Sequence, residues 1–172
     1  MEDNRGVPPK TCLSDMKIYL DTSIPSFVLR DNLPDKQKAT QKLLAEIKSG
    51  KISAFVSTVV IRELKATKDE QKRKKLLEVL DSFPYHLIEV DEKMQELADK
   101  YVASGIIPKQ YQDDALHIAT AVISGVTTVV SWNLRHMVNI FVKRKINSIN
   151  IAEGYPQVDL VTPWQIVPPE EE

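Results

Sequence analysis

The chain contains little cysteine and has no excess of charge of either sign. Its single cysteine, Cys12, cannot form an internal disulfide or supply a cysteine-rich zinc site, and this composition is typical of a reducing cytosol. The 23 lysine and arginine residues and the 24 aspartate and glutamate residues give a formal net charge of -1. A protein that coats DNA through bulk positive charge is therefore excluded, and a cytoplasmic location is expected.

The chain also lacks a long uninterrupted apolar run. Residues 115–134 carry no formal charge, but polar side chains interrupt this stretch, and Gly125 separates a helical pattern from a β-branched one. The N-terminal residues contain charges and Pro8-Pro9, and they lack the apolar region of a secretory signal. We therefore expect no membrane association, a flexible lead-in at residues 1–15 and an acidic tail at residues 168–172.

The remaining residues, 16–167, are expected to form one domain. A length of 172 residues leaves no room for two full-sized domains, and 42% hydrophobic with 27% charged residues is typical of a soluble globular protein. Strands are predicted at 17–20, 52–57, 86–90, 127–131 and 158–161. Helices are predicted at 35–49, 69–83 and 112–124, and after the candidate caps Thr58 and Asp91. This alternation predicts an α/β fold with a mainly parallel central sheet between two helical layers.

Acidic and amide side chains fall where predicted strands end or predicted helices begin. Asp21 and Asn133 each follow a strand, Glu63 lies one turn into a helix, and Asp114 opens another helix. Taken alone, each is more commonly a turn or cap residue. At one edge of a parallel sheet, however, all four would converge, and crowded carboxylates repel one another unless a cation neutralises them. Oxygen ligands without a cysteine or histidine cluster favour Mg²⁺ or Mn²⁺, which assist phosphodiester cleavage.

Four segments resemble the successive motifs of PIN domains, most closely the VapC-like group. They are Tyr19-Leu20-Asp21-Thr22-Ser23, Ser57-Thr58-Val59-Val60-Ile61-Arg62-Glu63-Leu64, Asp113-Asp114-Ala115-Leu116-His117-Ile118-Ala119-Thr120-Ala121 and Val130-Ser131-Trp132-Asn133-Leu134-Arg135-His136. Residues 150–167 are similar to the tail of one PIN subgroup, so the resemblance covers residues 16–167. It implies a three-layer α/β/α PIN-like fold and a metal-dependent endoribonuclease, frequently the toxin of a toxin–antitoxin pair. Such an enzyme acts through an activated water, with no covalent intermediate.

The resemblance also assigns roles to individual acids. It implies that Asp21, Glu63 and Asp114 are the catalytic and metal-binding residues, with Asn133 as a further metal ligand. Adjacent helical residues point about 100° apart, so only one of Asp113 and Asp114 can face the cleft, and the motif selects Asp114. His136 stands where many members of the family have aspartate. One tightly bound ion and a weaker second one are therefore expected.

Four further side chains near these acids have expected auxiliary or structural roles. Thr22 and Ser131 are expected to orient carboxylates or water through their hydroxyls. His117 lies one helical turn after Asp114, and we expect a packed structural histidine; the alternative is a hydrogen bond to a ligand carboxylate or a contact with RNA. Trp132 is expected in the core, although stacking on a base is the alternative.

The expected partners follow from the resemblance and from the surface pattern. They are an RNA substrate, a small antitoxin protein bound across the acidic cleft, and a second copy of the chain. The helices at 35–49 and 69–83 are expected to expose apolar residues for such contacts. The basic runs at 72–75 and 143–145 are expected to be solvated faces, with guidance of a phosphate backbone as the alternative. Two other functions stay open, a DNA-directed or structure-specific nuclease and a non-catalytic PIN-like binding module.

Overall fold

The structure, a computed structural model, describes residues 16–168 as strands that alternate with helices. The strands are β1 (Met16–Leu20), β2 (Ile52–Ser57), β3 (His86–Ile88), β4 (Thr128–Val130) and β5 (Asp159–Val161). The helices are α1 (Ser23–Val28), α2 (Pro34–Lys48), α3 (Thr58–Lys65), α4 (Glu70–Asp81), α5 (Glu92–Ala103), α6 (Gln112–Ile123), α7 (Ile140–Ala152) and α8 (Pro163–Ile166). The expected lead-in and residues 169–172 of the expected tail lie outside the described residues.

The five strands form one sheet in the order β3-β2-β1-β4-β5, and every neighbouring pair is parallel. The chain first builds the sheet on one side of β1, through β2 and β3, and then returns to the other side with β4 and β5. The strand order therefore reverses between β1 and β4. In open parallel sheets, the crevice at the carboxyl ends of two such strands is the common place for a functional site.

Apolar side chains cover both faces of the sheet. Successive residues of a strand point to opposite faces, so in β1 Ile18 and Leu20 pack on one side and Tyr19 packs on the other. The Tyr19 side joins a core with α5, α6 and α7, which contribute residues such as Leu97 and Ile118. The opposite side packs mainly against α1, α2, α4 and α8. The predicted three-layer α/β/α arrangement with a parallel sheet is confirmed.

Three helices were not among the predicted elements. Helices α1 and α8 have only six and four residues, which is too short to show a helical period in the sequence. Helix α7 is longer, but two asparagines, Asn147 and Asn150, lie on its buried face and interrupt the apolar pattern. The candidate cap Thr58 is wrong by one residue, since Ser57 occupies the N-cap position and Thr58 begins α3.

The expected exposure of apolar residues on two helices is also wrong. The leucines of α2, Leu43 and Leu44, and Leu76 and Leu80 of α4 are all buried against the sheet. The large apolar side chains that do face solvent include Ile140, Phe141 and Ile151 of α7 and Leu134 before it. Among residues 16–168, no helix combines the length and the apolar character needed to cross a membrane.

The buried side chain of Asn147 joins α7 to the chain entering β5, and its replacement should destabilise the fold. Its amide nitrogen donates to the Val158 carbonyl at 3.0 Å, and its amide oxygen accepts from the Val158 N–H at 2.8 Å. Asn147→Ala leaves both main-chain groups unpaired, so we expect a loss of about 2–4 kcal/mol in the free energy of unfolding. Urea unfolding measures it, with Ser148→Ala on the exposed face of α7 as the control. Equal stability of the two variants would contradict this role.

Candidate active site

Asp21 lies at the point where the strand order reverses, and it is held by short hydrogen bonds. Its carboxylate is 4% exposed. Oδ1 accepts from the Ser23 N–H at 3.1 Å and from the Ser23 hydroxyl at 2.5 Å, and Oδ2 accepts from the Ser131 hydroxyl at 2.6 Å. Because β1 and β4 are neighbours, the residues that follow them meet. Burial raises the pKa of Asp21, although the charge of His117 and these hydrogen bonds act against that rise.

Glu63 projects from α3 toward the same crevice and pairs with His117 of α6. The distance between Glu63 Oε1 and His117 Nε2 is 2.5 Å, and the Thr22 hydroxyl donates to the same oxygen at 2.8 Å. Burial alone would raise the pKa of Glu63, but the hydrogen bond and charge of His117 outweigh it and lower the pKa overall. Burial lowers the pKa of His117, and Glu63, Asp21 and Asp114 together raise it above its ordinary value.

The second ring nitrogen of His117 is held by Tyr19 from beneath the site. The Tyr19 hydroxyl lies 2.7 Å from His117 Nδ1 and 2.6 Å from the Ser57 hydroxyl. All three side chains are buried, and burial raises the pKa of Tyr19 so that it remains a phenol. A neutral His117 that donates from Nε2 to Glu63 must accept at Nδ1 from Tyr19, whose oxygen then accepts from Ser57. This chain of hydrogen bonds fixes the plane of the imidazole.

Asp114 lies in the first turn of α6, the helix that also carries His117. Its Oδ2 accepts from the Asn133 side-chain amide at 2.9 Å and lies 3.5 Å from His136 Nδ1. Asn133 uses its own amide oxygen to cap the turn, accepting from the His136 N–H at 3.0 Å. Burial raises the pKa of Asp114, His117 lowers it, and the negative charge of Asp21 raises it further. The Asp114 side chain therefore faces the crevice, as the sequence predicts.

The structure thus places the predicted acids around His117, which interacts electrostatically with Asp21, Glu63 and Asp114. Asp113, by contrast, points away from them and pairs with Arg62 at 2.5 Å, with 40% of its side chain exposed. The buried state of His117 agrees with the expected packed histidine, and its bond to Glu63 agrees with the alternative role. Both descriptions hold for the same ring.

Three residues of the site were not identified from the sequence: Ser23, Tyr19 and Ser57. All three stand in the segments that resemble PIN motifs, but only Ser23 has a local signal, because a hydroxyl two residues after an aspartate is a common hydrogen-bond donor. Tyr19 reaches Ser57 because β1 and β2 lie side by side, and it reaches His117 because α6 packs on the same face of the sheet. No local pattern reports that contact. Trp132 is 4% exposed, which confirms its expected place in the core.

The type of donor atom at this site suits a hard divalent cation. Glu63 Oε2 and Asp114 Oδ1 accept no hydrogen bond from residues 16–168, so each acid keeps one free oxygen. Within that same part of the chain, however, no three histidine, cysteine or acidic side chains are grouped closely enough to form a metal-binding set. The donor chemistry therefore fits Mg²⁺ or Mn²⁺. In this structure, however, the acidic side chains point toward hydrogen-bond partners within the protein and not toward a common centre.

Replacing His117 should change how stability depends on pH. The folded-state pKa of Glu63 lies below its ordinary 4.5, and that of His117 lies above its ordinary 6.5. The contribution of Glu63 is lost as the pH falls through its folded pKa, and that of His117 is lost as the pH rises through its folded pKa. We expect His117→Gln to cost about 1–3 kcal/mol between these ordinary values and progressively less at higher pH.

Urea unfolding at about pH 5.5 and about pH 8.5 measures this difference in stability. The exposed His86, which lies in β3 outside the site, provides the matched control through His86→Gln. A loss of stability in His117→Gln that is the same at both pH values would contradict the ionic part of the pairing.

Comparison with known proteins supports the fold assignment. No protein-family model and no curated protein matches the chain. Among solved structures, the chain is similar to the crystal structure of VapBC2 from Rickettsia felis bound to a DNA fragment from their promoter, with a TM-score of 0.52 and 22% identity. The match covers 86% of this chain and 98% of that chain. The chain therefore shares the fold of a component of a VapBC toxin–antitoxin complex.

Proposed function

We propose that this protein is a Mg²⁺-dependent endoribonuclease and the toxin of a toxin–antitoxin pair. The observation that carries the proposal is the convergence of Asp21, Glu63 and Asp114 around one buried histidine at the crevice between β1 and β4. The shared fold with VapBC2 and the PIN-like motifs support it. Mn²⁺ is an alternative ion for the same oxygen donors.

Asp21 and Asp114 stand at positions where folding disfavours their charge. Burial raises the pKa of both. A neighbouring acid raises each pKa further, Glu63 that of Asp21 and Asp21 that of Asp114. A group whose ionised form destabilises the folded state is more readily explained by function than by packing. Carboxylates of this kind attract a divalent cation, because the cation removes their mutual repulsion.

When bound, the ion would supply a positioned water and positive charge beside the phosphate. The chain's own residues prepare the site for it. Ser23 and Ser131 fix the Asp21 carboxylate, and Asn133 orients Asp114. His117 holds one oxygen of Glu63 and leaves the other free. Hydrolysis by a water needs no nucleophile from the protein, and none of these side chains is placed as one.

The proposed partners are an RNA substrate, a small antitoxin and a second copy of the chain. The similar structure is itself a VapBC2 complex, which supports an antitoxin partner. Three exposed apolar side chains of α7, Ile140, Phe141 and Ile151, provide surface suited to a protein contact. Asn133 is proposed to join the metal site when the amide turns its oxygen toward the acids.

A non-catalytic PIN-like binding module is the second candidate. The observation that favours it is the absence of a preformed group of three metal ligands within the described residues. The two candidates differ in one measurement, since a binding module would retain RNA without cleaving it in the presence of Mg²⁺. A DNA-directed nuclease would cleave a DNA strand of the same base sequence.

Asp114→Asn should abolish cleavage and stabilise the fold. The substitution removes charge at the proposed ion, so we expect activity on labelled RNA to fall by about 100-fold or more. Because the folded state raises the pKa of Asp114, its ionised form is unfavourable at neutral pH, and the metal-free variant should gain about 0.5–2 kcal/mol. Asp113→Asn, on the exposed side of α6, is the matched control. Full Mg²⁺-dependent activity in Asp114→Asn would contradict the proposed site.

Asp21→Asn should likewise abolish cleavage without unfolding the chain.

His136→Asp should tighten the binding of divalent ions. His136 lies 3.5 Å from Asp114, so aspartate at this position adds a carboxylate beside the site. We expect calorimetry with Mn²⁺ to show about tenfold tighter binding, since affinity follows the number of charged ligands. Leu134→Asp adds the same charge at a solvent-exposed position two residues earlier in the chain and serves as the control. Two equally tight sites in the unmodified protein, or equal effects of both variants, would contradict the proposed one-ion site.

A further inference from the structure

Both tryptophans of the chain belong to one aromatic cluster beside the acidic site. The cluster consists of Phe27, Trp132 and Trp164. The ring centres of Phe27 and Trp132 are 5.5 Å apart in a stacked arrangement, and Trp164 meets Trp132 edge-on at 4.7 Å. The chain contains 2 tryptophans in total, so the intrinsic tryptophan fluorescence of the protein reports on this cluster alone.

Two positive side chains lie over the rings of this cluster. The Lys36 ammonium is 5.5 Å from the centre of Phe27 and 5.3 Å from that of Trp132, and the Arg30 guanidinium is 5.4 Å from the centre of Phe27. Within residues 16–168, no ion pair joins either cation to an acid. The nearby Asp31 instead accepts a hydrogen bond from Gln37 at 2.9 Å. Ring contacts attract the cations without neutralising them.

The position of Lys36 also concentrates positive charge. Lys36 is in the first turn of α2, where the helix carries partial positive charge that is unfavourable for a lysine and that Asp35 in the same turn offsets in part. Arg30 approaches from the loop after α1. Both cations lie within 5.5 Å of the Phe27 ring centre, and an anion bound by both would offset the repulsion between their like charges.

A short chain of contacts connects the cluster to the acidic site. The Trp132 main-chain N–H donates to the Ser23 hydroxyl at 2.9 Å, and that hydroxyl donates to Asp21 at 2.5 Å. Phe27 is in α1, the helix that begins at Ser23. Through Ser23 and the Trp132 main chain, the rings that carry the two cations are therefore joined to Asp21.

We propose that Arg30 and Lys36 bind a backbone phosphate of the nucleic-acid strand next to the one at the acidic site. This inference rests on the proposed nuclease function for its ligand. An acidic crevice repels phosphates, so a strand that binds there needs cations close by. The basic runs at 72–75 and 143–145 make no such contact with rings joined to Asp21; within them, Arg73 donates to the Thr67 carbonyl and Lys143 pairs with Asp159.

Binding is tested with the full chain and a labelled single-stranded RNA oligonucleotide in a chelating buffer that prevents cleavage. Each phosphate contact on a single strand contributes about 0.7 to the slope of log affinity against log salt. Lys36→Gln and Arg30→Gln should each lower that slope by about 0.7 and weaken binding by about fourfold at about 0.15 M salt. The control is Lys38→Gln, which removes an exposed lysine of the same helix, and Lys36→Arg should restore binding.

Intrinsic fluorescence provides an independent readout of the same site. The oligonucleotide should change the tryptophan emission of the unmodified protein, and Lys36→Gln should reduce that change. The inference is overturned if the variants bind like Lys38→Gln, if emission does not respond, or if neither RNA nor DNA of the same sequence binds. A protein that cleaves RNA with Mg²⁺ while these variants bind normally overturns only this inference. Binding through the cluster without cleavage supports it and overturns the proposed nuclease function.

Discussion

The acidic site depends on one buried imidazole. His117 is enclosed between Tyr19 below it and Glu63 above it, and it also interacts with the charges of Asp21 and Asp114. Three carboxylates in a buried crevice would repel one another strongly if no positive group lay among them. An imidazole at their centre, whose pKa the acids raise, makes the arrangement compatible with a folded protein. The elements that carry Asp21 and Glu63 must therefore be positioned correctly relative to α6, which carries both His117 and Asp114.

The three acids have different electrostatic environments, although they share this ring. Glu63 pairs directly with His117 and has a lowered pKa, while burial dominates at Asp21 and Asp114 and raises theirs. The hydroxyls of Ser23 and Ser131 hold Asp21 rigidly. Such a division separates an acid whose ionised form is favoured from two whose ionised form is disfavoured, and that separation is typical of sites that manage protons or cations.

The layers of the fold and the positions of the acids could be predicted because both follow local rules. Alternating strands and helices imply a parallel sheet, and residues after strands such as Asp21 meet at one edge. The position of the Tyr19 ring could not be predicted, since its contact with His117 depends on residues 98 positions apart in sequence. Helix α7 was missed for a related reason. Its asparagines are polar in sequence, yet Asn147 is buried because it satisfies the main chain of Val158.

The two outer strands of the sheet have a consequence for how copies of the chain can associate. Strands β3 and β5 are three residues long each, and they form the two edges. So short an edge presents few main-chain groups to another strand, which limits sheet extension and the aggregation that accompanies it. The charged pair of Lys143 and Asp159 lies at the β5 edge and makes that edge less accessible still. Stable assembly with another protein chain would therefore use helical surfaces. The sheet of one copy would not continue into the sheet of another.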